Sequence, residues 1–346
     1  MLAFTLFIIS FISIGYYYND HLQEYIFKLF SPNTNNVVNV PVDNKENYKN
    51  IKLFGLNYNN FPILDGATVT QPIRSLIACK ALDINCYWDQ NDDREMFVYP
   101  EYDESNPEQY SIIDKLLNSK THQAYLNLIN NEVDLILVAT EPSEDELKEA
   151  QKLNVQFDIT PIGMDGFIFL LNNSNKVSDL STKDIINIYT KRITNWKQLG
   201  GSDTEIYPFI RNRNSGSQEL MDHLVMKDIP MAPFPEERMM SMMGVLIDAV
   251  DERPESIGYS LYYYKKAMID KVRYQSNVKI ISIDGVEPNS ETINSKQYPH
   301  IYYIYAVSRK DLNPNSMEYK IKNWLVSKEG QKLIFESGYV PIINFE

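Results

Sequence analysis

The chain has 346 residues, enough for one large or two medium domains, and its 44% hydrophobic and 23% charged residues are ordinary for a globular protein. With 33 basic and 46 acidic side chains the net charge is −13, which argues against nucleic acid as a partner, because a phosphate backbone needs a basic face. A small anion is not excluded, since a cleft can be locally positive inside a negative molecule.

From the N-terminus, Leu2 to Tyr18 is apolar or aromatic apart from Thr5, Ser10, Ser13 and Gly15. That run approaches the roughly 17-residue lower limit for a spanning helix. A signal peptide would begin with basic residues and end at a small-residue cleavage site. No Lys or Arg precedes Lys28, and no Ala-x-Ala follows the run. The expectation is therefore an uncleaved membrane helix within residues 1–30, with Tyr16, Tyr17 and Tyr18 at the interface. Residues 31–50 are rich in Asn, contain Pro32 and Pro41, and read as a linker.

Folded elements follow. Pro62 to Gly66 ends a short strand. Residues 72–82 form a helix with Ile73, Leu76, Ile77 and Leu82 on one face, and 121–130 another with Thr121 as N-cap. Residues 133–139 are an apolar strand and 144–153 an amphipathic helix. Gly166 to Asn172 is a nearly continuous apolar strand, of the kind buried on both faces. Helices are expected at 182–189 and 217–226, a strand at 301–307, and helices at 317–327 and 330–337. This alternation predicts an α/β fold with largely parallel sheets.

Few residues suggest catalysis. The chain has no Gly-x-Ser-x-Gly elbow, His-Glu-x-x-His pair or Walker loop. His21, His122, His223 and His300 are scattered, so neither a metal nor a cofactor is expected. Acidic pairs such as Asp92-Asp93 read as solvated loop charges. Cys79 and Cys86 read as buried free thiols, with a single disulfide as the alternative. The methionines from Met239 to Met243 read as core or cleft-edge packing, and the tyrosines from Tyr259 to Tyr264 as a buried strand or helix.

Arg211 to Gln218 stands out. It places an arginine four residues ahead of Ser215-Gly216-Ser217, which opens a helix. The first turn of a helix has unpaired N–H groups and the positive end of the dipole, a ready anion site. Gly216 permits close approach, Ser215 and Ser217 add hydroxyl donors, and Arg211 adds a two-pronged charged one.

Other segments extend this reading in order: Asp65 to Thr70, Ala139 to Ser143, Thr160 to Phe169, Lys191 to Gly201, Arg211 to Gln218, Ile257 to Ser260, and Glu329 to Gln331 with Gly338 to Pro341. Together they resemble the PstS family, the phosphate-binding proteins of phosphate ABC transporters, from about Leu64 to Ile342. The resemblance implies a two-lobed type II periplasmic-binding-protein fold, with two crossover strands and ligand held between lobes. Lobe 1 would be 51–167 plus 305–346, and lobe 2 would be 168–304. It implies inorganic phosphate or a related oxyanion held by Thr68, Val69 and Thr70, by Ser119 and Thr121, and by Ser215, Gly216 and Ser217 with Arg211 beside them. Thr140 and Glu141 stand where the family carries a carboxylate that selects protonated phosphate. If Glu141 faces the cleft, it can play that part, and if Thr140 does, selection against sulfate loses its basis. The implied setting is extracytoplasmic and membrane-anchored, with ABC permease subunits as partners. The alternative is an anchored sensor or interaction module that binds another oxyanion or small polar ligand.

Overall fold

The computed structural model describes residues 40–41, 55–91, 95–103, 105–227, 229–272 and 276–343. The expected membrane helix, and all but two residues of the expected linker, lie outside them. Among the described residues no helix is long and apolar enough to cross a membrane.

In chain order the elements used below are β1 (Leu64–Gly66), α1 (Gln71–Leu82), β2 (Cys86–Gln90), β3 (Met96–Pro100), α2 (Lys120–Ile129), β4 (Leu135–Val138) and α3 (Glu144–Lys152). Then come β5 (Phe157–Asn172), α4 (Thr182–Tyr189), β6 (Tyr207–Pro208), β7 (Ile210–Arg211), α5 (Gly216–Leu220), β8 (Met239–Met240), α6 (Met243–Glu252) and β9 (Ser256–Leu261). Last are β10 (Val278–Ile280), β11 (Ile301–Arg309), α7 (Met317–Leu325) and α8 (Lys328–Ser337).

The central sheet runs in the order β1-β4-β11-β5-β9-β6, with β10 also on β5. Its axis is β5, a 16-residue strand buried from Ile162 to Asn172. This apolar run needs cover on both faces, which is why it lacks the alternation of a half-exposed strand. β11 lies antiparallel to β5, from Ile301 opposite Gly166 to Arg309 opposite Phe157, with one irregularity between Ile304 and Tyr305. At one end Tyr305 to Val307 pair with β4, and at the other Phe167 to Leu171 pair with β9. Two lobes therefore share two strands that cross between them.

The expected largely parallel sheet is corrected. Parallel pairing within this sheet is confined to β1–β4 and β9–β6, while every pairing of β5 and β11 is antiparallel. The reason lies in connectivity: one strand carries the chain out of the first lobe and the other brings it back.

Helix boundaries follow local chemistry. Pro72 sits in the first turn of α1, where its missing N–H costs nothing, and Asp83 closes the helix in the left-handed region at φ 59. Ser143 with Glu146, and Ser181 with Asp184, form capping boxes on α3 and α4. The turn after α1 also corrects the cysteine expectation. It brings Cys86 back until its Cα is 6.0 Å from that of Cys79, and the two form a disulfide. The expected helix over 217–226 is α5 followed by a π-helical turn, Met221–Val225.

Candidate functional site

A cavity of about 370 Å³ lies between the lobes. Three helix beginnings expected from the sequence line it, and the start of α6, with Met242 and Met243, lines it as well. The first is the 3-10 turn Thr68–Thr70 that leads into α1, represented by Thr68 and Val69. The second is the start of α2, with Ser119, Lys120 and Thr121. The third is the start of α5, with Ser215, Gly216 and Ser217. Arg211 lies beside the third.

The first two beginnings are fixed by Asp65 at the end of β1. Its buried carboxylate accepts from the N–H of Gly66 (2.7 Å), the N–H of Ser119 (2.9 Å) and Asn127 Nδ2 (2.8 Å). Gly66 has φ 157, and a Cβ there would stand 1.9 Å from the Leu137 carbonyl oxygen, so no other residue fits this turn. Behind it Arg74 donates to the carbonyl oxygen of Ala67 (3.0 Å) and to Asn118 Oδ1 (2.9 Å). Full burial pushes this guanidinium down to about 10, with the charge of Asp65 opposing the shift. Ser119 is right-handed and Lys120 left-handed at φ 69, an alternation that gathers successive N–H groups into a concavity suited to an anion. The N-cap of α2 is thus Ser119 rather than the expected Thr121, which lies within the helix.

The third beginning faces the second. A Cβ on Gly216 would lie 2.7 Å from Thr121 Oγ1, so helix starts from opposite lobes come within contact distance. Ser215 caps α5 by accepting from the N–H of Gln218 (3.3 Å). Arg213 and Asn214 both reach Asp145 Oδ2 on α3, at 2.9 and 3.3 Å, and tie the lobes together at the rim.

Arg211 is 8% exposed. Its backbone N–H donates to Gln218 Oε1 and to the hydroxyl of Tyr259. Its guanidinium donates to the carbonyl oxygen of Met240 (2.8 Å), Ser217 Oγ (3.2 Å) and the carbonyl oxygen of Ser241 (3.1 Å). All three acceptors are neutral. Burial lowers its pKa, against the charges of Tyr259, Tyr264 and Glu95. A cation removed from water and bonded only to neutral oxygens is costly, and an anion in the cavity would offset that cost.

Three expected site residues lie off this cavity. The Thr70 hydroxyl is turned inward, donating to the carbonyl oxygens of Ala67 (2.9 Å) and Leu137 (2.6 Å). Thr140 is buried, with a hydroxyl that has no partner and a carbonyl that accepts from Tyr125 (2.8 Å). Glu141 is exposed and accepts weakly from the Tyr305 hydroxyl (3.4 Å). The cavity carries a carboxylate from elsewhere. Glu95, 6% exposed at the start of β3, lines it and accepts from the Tyr264 hydroxyl across the cleft. The sequence hid Glu95 in the acidic run that begins at Asp92. The one available signal was the apolar strand directly behind it, which carries its side chain inward. Met242 and Met243 also line the cavity, so that part of the methionine run is cleft edge.

Comparison with known proteins fits this geometry. The family model of the PBP superfamily domain matches residues 108–329. The phosphate-binding protein PstS of Borreliella burgdorferi is 26% identical over 220 residues, which cover 62% of this chain and 75% of that protein. The phosphate-binding protein PstS of Bacillus subtilis is 24% identical over 197 residues, covering 56% of this chain and 60% of that protein. An ABC-type phosphate transport receptor from Vibrio cholerae shares the fold, with a TM-score of 0.54, 20% identity, and coverage of 80% of this chain and 98% of that one. So does a phosphate-binding protein from Stenotrophomonas maltophilia, with a TM-score of 0.53, 12% identity, and coverage of 82% and 91%. The chain belongs to the PBP superfamily, as a two-lobed α/β member similar in sequence to phosphate-binding proteins of the PstS type.

Proposed function

We propose that this chain is an extracytoplasmic solute-binding protein that captures inorganic phosphate between its lobes and hands it to the permease subunits of an ABC transporter. The observation that carries this reading is the cavity where three helix beginnings and the buried guanidinium of Arg211 meet. A desolvated phosphate needs many fixed donors, and helix ends with hydroxyls supply them without an equal number of positive charges. The names of the sequence relatives support the same ligand.

In this proposal Thr68, Val69, Ser119, Thr121, Ser215, Gly216, Ser217 and Arg211 hold the anion, and Thr70 braces the first turn from behind. Lobe 1 comprises 51–167 plus 305–346 and lobe 2 comprises 168–304, boundaries supported by the paths of β5 and β11. The apolar run Leu2 to Tyr18 attaches the protein to the membrane. Calorimetric titration of the chain, stripped of anion by unfolding and refolding, tests the reading. Saturable phosphate binding that Arg211→Ala weakens is expected. A protein blind to phosphate would end the proposal.

A further inference from the structure

The segment that follows β9 touches the cavity and the crossing strands at once. Tyr264 lines the cavity, and its hydroxyl donates to Glu95. One residue earlier, the backbone N–H of Tyr263 donates to both carboxylate oxygens of Asp165 on β5, each at 3.2 Å. The buried Tyr263 ring is stacked on Tyr339, with centroids 4.0 Å apart and planes 20° from parallel. Gly338 makes room for it, because a Cβ there would lie 2.9 Å from Tyr263 Cε2. Tyr339 is tied to β5 as well, since its neighbour Val340 exchanges backbone hydrogen bonds with Met164, next to Asp165 (2.7 and 3.1 Å). The Tyr339 hydroxyl donates to the carbonyl oxygen of Val69 (2.8 Å), in the first of the helix beginnings.

We propose that Asp165, Tyr263 and Tyr339 are positioning residues for the phosphate site: the carboxylate fixes Tyr263, the Tyr263 ring seats Tyr339, and Tyr339 holds the Val69 turn in place for the anion. The inference rests on the phosphate reading above. An ionised carboxylate accepts from an N–H roughly twice as strongly as a neutral group, so it fixes Tyr263 more firmly than the protonated form does. Burial holds the Asp165 carboxyl up at about 7, which puts the change near neutral pH. Among the described residues the titratable groups that feel its charge are Tyr262, Tyr263, Tyr298, Tyr302 and Tyr339. Burial raises all five above the ordinary tyrosine value, so they stay neutral through this range.

Phosphate titration of the full chain tests this in the parent, Asp165→Asn, Tyr339→Phe and the double variant, at about pH 5.5 and about pH 8.5, on either side of the Asp165 transition. Phosphate's own proton equilibria are common to all four proteins and cancel in ratios taken at one pH. Tyr339→Phe keeps the stacked ring and loses one neutral hydrogen bond, so phosphate should bind about fivefold more weakly. The advantage of the parent over Asp165→Asn should be about threefold larger at the higher pH, where the carboxylate is ionised. The two losses should fall short of adding in the double variant, because both act through one ring pair. The calorimetric stoichiometry counts the folded fraction, so partial unfolding does not mimic these effects. A parent-to-Asp165→Asn ratio that is flat with pH or larger at the lower pH, or losses that simply add, overturns the inference and leaves the phosphate reading standing. A parent blind to phosphate overturns both.

Discussion

Arg211 and Gly216 carry the residue-scale argument. Arg211 donates its hydrogen bonds to neutral acceptors, and Glu95 in the same cavity is a charge that acts on it without a direct bond between them among the described contacts. A hydrogen bond to a charged group contributes about 1.5–3 kcal/mol. Arg211→Ala should therefore weaken phosphate binding by roughly 10- to 100-fold, since 1.4 kcal/mol is a factor of ten. An unchanged dissociation constant would place the anion elsewhere. Gly216 probes closure instead of charge. Its added Cβ would meet Thr121 Oγ1 at 2.7 Å, and a β-branched threonine cannot swing aside easily. Gly216→Ala should hold the lobes apart and weaken phosphate by about tenfold, while alanine's better helix propensity keeps the melting temperature near that of the parent. Equal affinity in the variant would show that the two helix starts do not close on the ligand. Both residues were legible in the sequence, because a serine-glycine-serine helix start beside an arginine is a local pattern. Glu95 was not, because its significance comes from Tyr264, 169 positions away.

At the scale of elements, the hairpin β2–β3 presents Phe97 and Glu95 to the cavity, and the Cys79–Cys86 disulfide ties its first strand to the end of α1. A loop this short removes about 2–3 kcal/mol of chain entropy from the unfolded state. Cys79→Ala with Cys86→Ala should lose stability of that order in chemical denaturation. A loss below about 0.5 kcal/mol would mean that the hairpin is held by packing alone. Of the helices α1 to α8 all but α6 were readable, because hydrophobic period and capping residues are local, whereas strands β2, β3 and β10 were not anticipated. Ser143 with Glu146 and Ser181 with Asp184 mark helix starts within four residues of sequence. The disulfide was not readable, because spacing alone cannot tell whether a turn folds Cys86 back to Cys79.

Across the whole molecule the two crossing strands matter most, and Asp165 lies on β5 where it pairs with β11. It lies opposite Tyr302 in the register, accepts from the Tyr302 hydroxyl at 2.5 Å, and also accepts from the N–H of Tyr263. Burial pushes its carboxyl up to about 7, against those hydrogen bonds. The unfolded chain gives up this proton near 3.8, the ordinary value. Between these values the folded state holds more protons, so stability falls as pH rises from about 4 to 7, by an amount on the order of 4 kcal/mol for this one group. His300, at the entry to β11, acts in the opposite sense. Burial lowers it to about 4, so it subtracts stability as pH falls below its ordinary 6.5. Asp165→Asn isolates the first effect. Relative to the parent it should gain stability from pH 4.5 to about pH 7 and level off above that in denaturant titrations, and a pH-independent difference would refute the assignment.

The sequence by itself determined most of the helices, the apolar strands, the family, and the serine-glycine-serine helix start that follows Arg211. All of these depend on residues close together in the chain, whose periodicity, caps and turn residues act locally. Only the tertiary structure decided the rest. It made the central sheet mostly antiparallel, because β5 and β11 must cross between lobes in opposite directions. It turned the hydroxyl of Thr70 into the core, left Thr140 and Glu141 off the cavity, and brought Glu95 into it. Which side chain faces a cleft depends on how two lobes meet, and that is fixed by pairings between residues far apart in sequence.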